Sequence, residues 1–245
     1  MNRTRRRFLC APLLAAIPAA AHAAPLTMVV VDLMPWAGRN AAGQLEGAAV
    51  DLAPQLSALT GQPITTVAVP YARAIAMLAN GGADLMLAVD ADGRHGLPPP
   101  LASLGTEDVV LVGRRGAAWD SLEALCGRKV GLLRSASFDA LLRPSPCLLR
   151  YETNSYEQGL RMLRQGRLDA MAGVRASMEY AIRRLGLVAA DFGSPLLVGQ
   201  AGIALYLAPR SATPALTARL QQACAQLARE KQMPALLAQY RHIAD

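Results

Sequence analysis

Two side chains of opposite charge stand at matched places in this sequence, and each suits a different half of an ion-recognition site. The stretch MLANGGADLMLAV (Met77–Val89) is echoed further along the chain by MLRQGRLDAMAGV (Met162–Val174). Immediately past the shared valine stands Asp90 in the first copy and Arg175 in the second. A carboxylate at such a place holds a cationic group. A guanidinium holds an anion, donating two parallel hydrogen bonds to a carboxylate. Both can instead be solvated, or pair with each other across a cleft.

Other chemistries leave no trace in the pattern. His95 and His242 stand alone, and no Cys/His cluster has metal-ligand spacing, so a structural or solvent role is assigned to each. There is no nucleophile elbow and no Gly-rich phosphate loop. No catalytic residue, metal or cofactor is therefore assigned. Cys126 and Cys147 each lie a few residues before a strand pattern, so a disulfide between them would join the starts of two neighbouring strands. Closing a loop of about 20 residues in this way is worth roughly 3 kcal/mol if unstrained. Cys224 lies in a helical pattern and reads as a small buried apolar residue.

The elements that must position these residues alternate. LTMVVVDL (Leu26–Leu33) reads as a buried strand, Asp51 as the cap of a helix running to Thr60 with Pro54 in its first turn, and PITTVAV as the next strand. Tyr71–Asn80 reads as a helix stopped by Gly81 and Gly82, and Leu85–Val89 as a third strand. The order β-α-β-α-β marks a parallel sheet. It then restarts. EDVVLVGRRG leads away, RKVGLL and LLRYET are strands, and Ser135 or Ser137 caps a helix to about Leu142 between them. Ser155 and Gln158 form a capping box for a helix ending at Gly166, and RLDAMAGV closes the second unit. The echo thus marks the same corner in two successive units. SPLLVGQAGIALYLAP (Ser194–Pro209) suits a strand crossing back between them, followed by helices over Thr213–Arg229 and Met233–His242. Crossings near Glu107–Arg115 and Val198–Leu207 would make a two-strand hinge. A single barrel is the competing fold, but eight βα units cannot be counted.

The N-terminal segment Met1–Ala23 has the layout of an export signal: four arginines, an apolar alanine-rich stretch, then Ala21-His22-Ala23 as a cleavage site. TRRRFLC (Thr4–Cys10) is similar to a twin-arginine motif, and a Sec signal with extra arginines fits as well. Cys10 precedes the apolar region instead of ending it, which excludes a lipoprotein site. Cleavage after Ala23 leaves Ala24–Asp245 and, by removing the four arginines, lowers the formal charge from +7 to +3. With 23 Arg against 2 Lys scattered along the chain, no basic stripe points to nucleic acid.

Four segments carry a resemblance to a known family: MPWAGRNAAGQLEGAAVDLAPQLSALTG, VPYARAIAMLANGGADLMLAV, SLEALCGRKVGLLRSAS and SYEQGLRMLRQGRLDAMAG. In this order they resemble the periplasmic solute-binding proteins of ABC importers, of the amino-acid-binding (family 3) type. The resemblance covers nearly the whole chain after Ala23. It implies an α/β fold of two parallel-sheet lobes joined by a two-strand hinge, the type II periplasmic-binding-protein fold. The implied organisation is an export segment over 1–23, a discontinuous first lobe over 24–112 and 200–245, and a second lobe over 113–199. It further implies a monomer in the periplasm that captures a small polar solute and meets an ABC permease in the inner membrane.

By the same resemblance, Arg94 matches the arginine that holds a ligand carboxylate from the first lobe, with a solvated loop arginine as the alternative. Ser135 and Ser137 match the hydroxyl-bearing helix start that completes this site, a role compatible with simple capping. Trp36, after Pro35, matches an aromatic that stacks on ligand or lids the core. Arg73 matches a basic position of the family, with a surface ion pair as the alternative. The chain departs from the family where an Asp pairs with the ligand's ammonium, because Val174 stands there. A buried ammonium without a carboxylate is costly, so a standard α-amino acid is in doubt. The same fold also hosts cyclohexadienyl dehydratases and soluble ligand sensors for membrane receptors. These are the alternatives to an importer's binding protein.

Overall fold

Two of the ten strands among the described residues are 12 residues long, about twice the length of the other strands of the main sheet, and they hold the molecule together. The structure is a computed structural model that describes residues 24–91, 96–134 and 138–240. The expected export segment with Cys10 lies outside the described residues, as do Arg94, His95, Ser135, Ser137 and His242.

The first unit contains β1 (Leu26–Val31), a two-strand hairpin of β2 (Gly38–Arg39) and β3 (Leu45–Glu46), α1 (Ala48–Thr60), β4 (Ile64–Val69), α2 (Tyr71–Asn80) and β5 (Leu85–Asp90). The long strand β6 (Ala102–Gly113) leads to β7 (Lys129–Leu133), β8 (Leu149–Thr153), α3 (Tyr156–Arg164), β9 (Ala170–Val174) and α4 (Arg175–Arg184). The second long strand, β10 (Leu196–Leu207), returns the chain to α5 (Pro214–Arg229) and α6 (Gln232–Gln239). Eight strands form one sheet in the order β4-β1-β5-β10-β6-β9-β7-β8. β1 pairs in parallel with β4 and β5, and β7 in parallel with β8 and β9. β6 and β10 pair antiparallel with each other over Ala102–Leu111, then with β9 and β5 respectively. Each long strand thus runs through both lobes, and this is the expected two-strand hinge.

Several elements differ from expectation for identifiable reasons. α1 starts four residues early, at Ala48, because Gly47 (φ 130°) turns the chain into it. Asp51 is consequently inside the first turn and accepts the Tyr240 hydroxyl at 2.7 Å instead of capping. Pro54 falls deeper in the helix than expected. Between β7 and β8 only a short 3-10 turn, Asp139–Leu142, is described. α4 has no counterpart among the sequence expectations. The N-terminus of α3 forms as read: Ser155 Oγ accepts the Gln158 N–H at 3.1 Å, though Gln158 Oε1 reaches back to the Asn154 N–H at 2.8 Å.

One apolar core, including Met28, Leu52, Leu111, Val130 and Leu220, extends through both lobes. A second cluster lies under α2 around Val29, Leu78 and Tyr206, and a third under α3 and α4 around Tyr156, Leu160 and Met171. Cys224 is fully buried in α5, and burial pushes its thiol up to about 12. Among the described residues no helix is long and apolar enough to cross a membrane.

Candidate functional site

A cavity of about 200 Å³ lies between the lobes, at the carboxyl ends of the parallel strands of both. The first lobe contributes Val31, Asp32, Leu33 and Trp36 after β1, Ala49 of α1, Pro70 and Tyr71 at the start of α2, and Leu87–Val89 of β5. The second contributes Leu133 and Arg134 after β7, Phe138, Asn154 after β8, Tyr156 at the start of α3, and Val174 at the end of β9. Helices that follow parallel strands begin where the strands end, so their N-termini converge on this cleft with N–H groups that have no intrahelical partner and with positive dipole ends. Some are already occupied. Glu107 Oε1 accepts the Ala176 N–H at the start of α4 at 3.1 Å, and Ser155 caps α3. α2, behind Pro70, has no side-chain cap.

The lining is mostly apolar with few ionic groups. Asp32 lines it from the first lobe. Arg134 lines it from the second, is exposed, and makes a loose 3.4 Å pair with Glu152. Phe138 and Trp36 supply buried aromatic faces. Tyr156 is buried, its hydroxyl oxygen accepts the Val174 N–H at 3.0 Å, and burial holds its ionisation well above the ordinary tyrosine range. Its ring lies against β9, where a Cβ on Gly173 would come within 2.2 Å of Cε1.

Of the residues singled out from sequence, Trp36 lies in the cleft. Its indole N–H donates to Ser177 Oγ of α4 at 3.2 Å, a buried bond between the two lobes. The other described residues lie elsewhere. Asp90 is buried beside β10 and accepts the Tyr206 hydroxyl at 3.3 Å. Burial first, then the Asp90 charge and this bond, push the Tyr206 ionisation upward. Arg175 donates to Asp108 at 3.1 Å, and Gln200 of β10 holds the other oxygen of Asp108 at 3.1 Å. Arg175 thereby ties α4 to both hinge strands, and it does not pair with Asp90. Arg73 is exposed on α2 outside the cavity lining. Arg94, Ser135 and Ser137 lie outside the described residues. Cys126 and Cys147 are exposed, free thiols.

Sequence reasoning missed Asp32, Tyr71, Arg134, Asn154 and Tyr156. A signal for two of them was present. Tyr71 precedes Met77 by the same interval as Tyr156 precedes Met162, so the echo extends back to a matched pair of tyrosines. Asp32 and Arg134 are marked only by following a strand.

No family model and no curated protein matches the chain. Solved structures do. The VFT2 domain of BvgS from Bordetella pertussis, a double mutant, is similar at 21% identity and TM-score 0.73, covering 88% of this chain and 93% of that one. A histidine kinase sensor domain with similarity to periplasmic binding proteins reaches 0.75 at 19% identity, over 89% and 96%. The substrate-binding protein of an amino acid ABC transporter reaches 0.70 at 14% identity, over 88% and 98%. With the strand order and the inter-lobe cleft, these likenesses define the fold: a two-lobed α/β protein of the type II periplasmic-binding-protein kind.

Proposed function

We propose that this chain is an exported solute-binding protein that closes two lobes on a small solute with a carboxylate and a largely apolar body, for delivery to an ABC importer. The observation that carries the proposal is the inter-lobe cavity, apolar along its length with Asp32 and Arg134 on opposite lobes. In this reading Arg134 and the positive dipole end of α2, behind Pro70, receive the carboxylate. Asp32 receives an ammonium, supplying the carboxylate that position 174 lacks, so an amino-acid-like zwitterion returns as a candidate. Trp36, Phe138 and Val174 cover the apolar body. Arg94, Ser135 and Ser137 complete the carboxylate site by resemblance. The lobes divide as 24–112 with 200–245 against 113–199, the change-over lying within the two long strands. A ligand touching both lobes stabilises the closed form in proportion to its preference for it, and a permease can read that form.

The test is a melting-temperature screen against free amino acids, dicarboxylates and polyamines. A ligand at 100 times its Kd adds about 2.7 kcal/mol, a shift of about 5–10 °C for a chain of this size. Arg134→Ala should weaken that ligand at least tenfold, while Arg175→Ala should change affinity far less. No response across the panel would count against solute capture, and turnover of a prephenate-like acid would make the protein an enzyme instead. The likeness to the histidine kinase sensor domain favours a second reading, a soluble sensor that presents its ligand state to a receptor. Uptake of labelled solute lost in a deletion strain supports the importer, and unchanged uptake supports the sensor.

A further inference from the structure

At the end of the second lobe away from the cleft, two exposed thiols sit together. Cys126 precedes β7 and Cys147 precedes β8. Their meeting follows from the backbone. The parallel β7–β8 register pairs Lys129 with Leu149, and hydrogen bonds extend it backwards, from the Leu149 N–H to Arg128 O and from the Gly127 N–H to Cys147 O, both at 2.9 Å. Gly127 takes a left-handed conformation (φ 74°) that a side chain would resist. That turn brings Cys126 round beside Cys147, whose thiol is the main cause that raises the ionisation of the Cys126 thiol.

Among the described residues, β8 is the last strand of the sheet and pairs only with β7. Four of its five residues are exposed, including Leu149 and Tyr151. An edge strand with little burial is among the first to open. It nevertheless leads directly into Asn154 and Tyr156 in the cleft. Cys224 provides the contrast: buried in α5, it is closed to exchange.

We propose that Cys126 and Cys147 form a redox site, a surface dithiol that closes to an intramolecular disulfide and pins the β8 edge to β7. The partner reagent is a disulfide oxidant. One thiolate attacks it to form a mixed disulfide, releasing one thiol. The second cysteine then displaces the remaining half as a second thiol. Two electrons and two protons pass from the protein to the oxidant, the S–S bond of the oxidant breaks, and the Cys126–Cys147 bond forms.

The experiment treats the full chain with oxidised or reduced glutathione, then digests it with trypsin without reduction. Oxidation should link the peptide 116–128 to the peptide 135–150, with loss of two hydrogens. It should also raise the melting temperature by about 6–12 °C over the reduced protein, as expected for a loop of this length. Cys126→Ser should leave Cys147 as a glutathione adduct, and Cys126→Ser/Cys147→Ser should melt alike in both buffers. Free thiols in both peptides, stable glutathione adducts on the unsubstituted chain, or links between chains would overturn the site. A linked peptide with no rise in melting temperature would overturn the pinning of β8.

Discussion

In the first lobe Asp84 accepts the Thr27 N–H at 2.9 Å, at the start of β1; in the second, Asp169 accepts the Lys129 N–H at 3.0 Å, at the start of β7. Both aspartates follow a helix that ends at a left-handed glycine, Gly81 (φ 92°) or Gly166 (φ 72°), and both have an arginine beside them, Arg210 or Arg114. These corners solve one problem in one way: a chain leaving a helix must be fixed to the middle strand of a parallel sheet. Their far ends diverge. β5 continues to Asp90, which is held against β10, whereas β9 stops at Val174 and α4 begins at once with Arg175. Ala88 in one copy corresponds to Gly173 in the other. Likeness at the strand starts therefore reports folding, and difference at the strand ends reports the cleft and the hinge.

The largest effect should come where the copies differ. A Cβ on Gly173 would meet the buried Tyr156 ring at 2.2 Å, so Gly173→Ala must displace a side chain that lines the cleft. A loss of about 3 kcal/mol is expected, the upper range for overpacking, with weaker ligand binding. The mirror change Ala88→Gly only removes a methyl and loosens the backbone, at about 1 kcal/mol. Denaturant unfolding of the two variants compares them directly. Equal costs would mean that Tyr156 does not need the bare backbone, and that the difference between the copies is incidental.

Legibility in the sequence followed the same divide. The strand-helix order was readable because apolar periodicity, Gly81 and the Ser155 cap are local signals, and α2 ends where its glycine predicts. Trp36 was found because it follows a proline in a segment resembling a family. Asp32 and Arg134 were not, since an ionic residue after a strand looks like any solvated loop until the opposite lobe is in place. Asp90 and Arg175 show the converse: their charges were visible, but the partners Tyr206 and Asp108 were not, lying 116 and 67 residues away in sequence.

Where the copies agree, losses should be smaller and ranked by the partners each carboxylate holds. Asp84 also accepts the Ser211 hydroxyl at 2.6 Å, and its pair with Arg210 is long at 3.7 Å. Asp169 has the Lys129 N–H and a 3.1 Å pair with Arg114, half of whose side chain is exposed. Removing either carboxylate strands a strand-start N–H, and Asp84→Ala additionally strands a hydroxyl. About 2 kcal/mol is expected for Asp84→Ala and about 1 kcal/mol for Asp169→Ala, read from urea midpoints. The reverse order would mean that the exposed arginine pair dominates the corner, which surface ion pairs rarely do.

The smallest contrast tests whether the two glycines serve geometry alone. Gly81→Ala and Gly166→Ala each force an L side chain into the left-handed region, at about 1 kcal/mol. At position 166 the new methyl would stand 3.5 Å from Arg114 Nη1, an ordinary contact. At position 81 it would stand 2.7 Å from Arg210 Nη1, so the guanidinium must swing away from Asp84. The arginine tip is flexible and half-exposed, which limits the extra loss to a few tenths of a kcal/mol. The signature is coupling: Gly81→Ala and Arg210→Ala should be non-additive, while Gly166→Ala and Arg114→Ala should add. Additivity in both pairs would show that neither arginine senses its glycine and reduce the corners to backbone conformation. Coupling at position 166 as well would make the two corners equivalent down to the side chains that cover them.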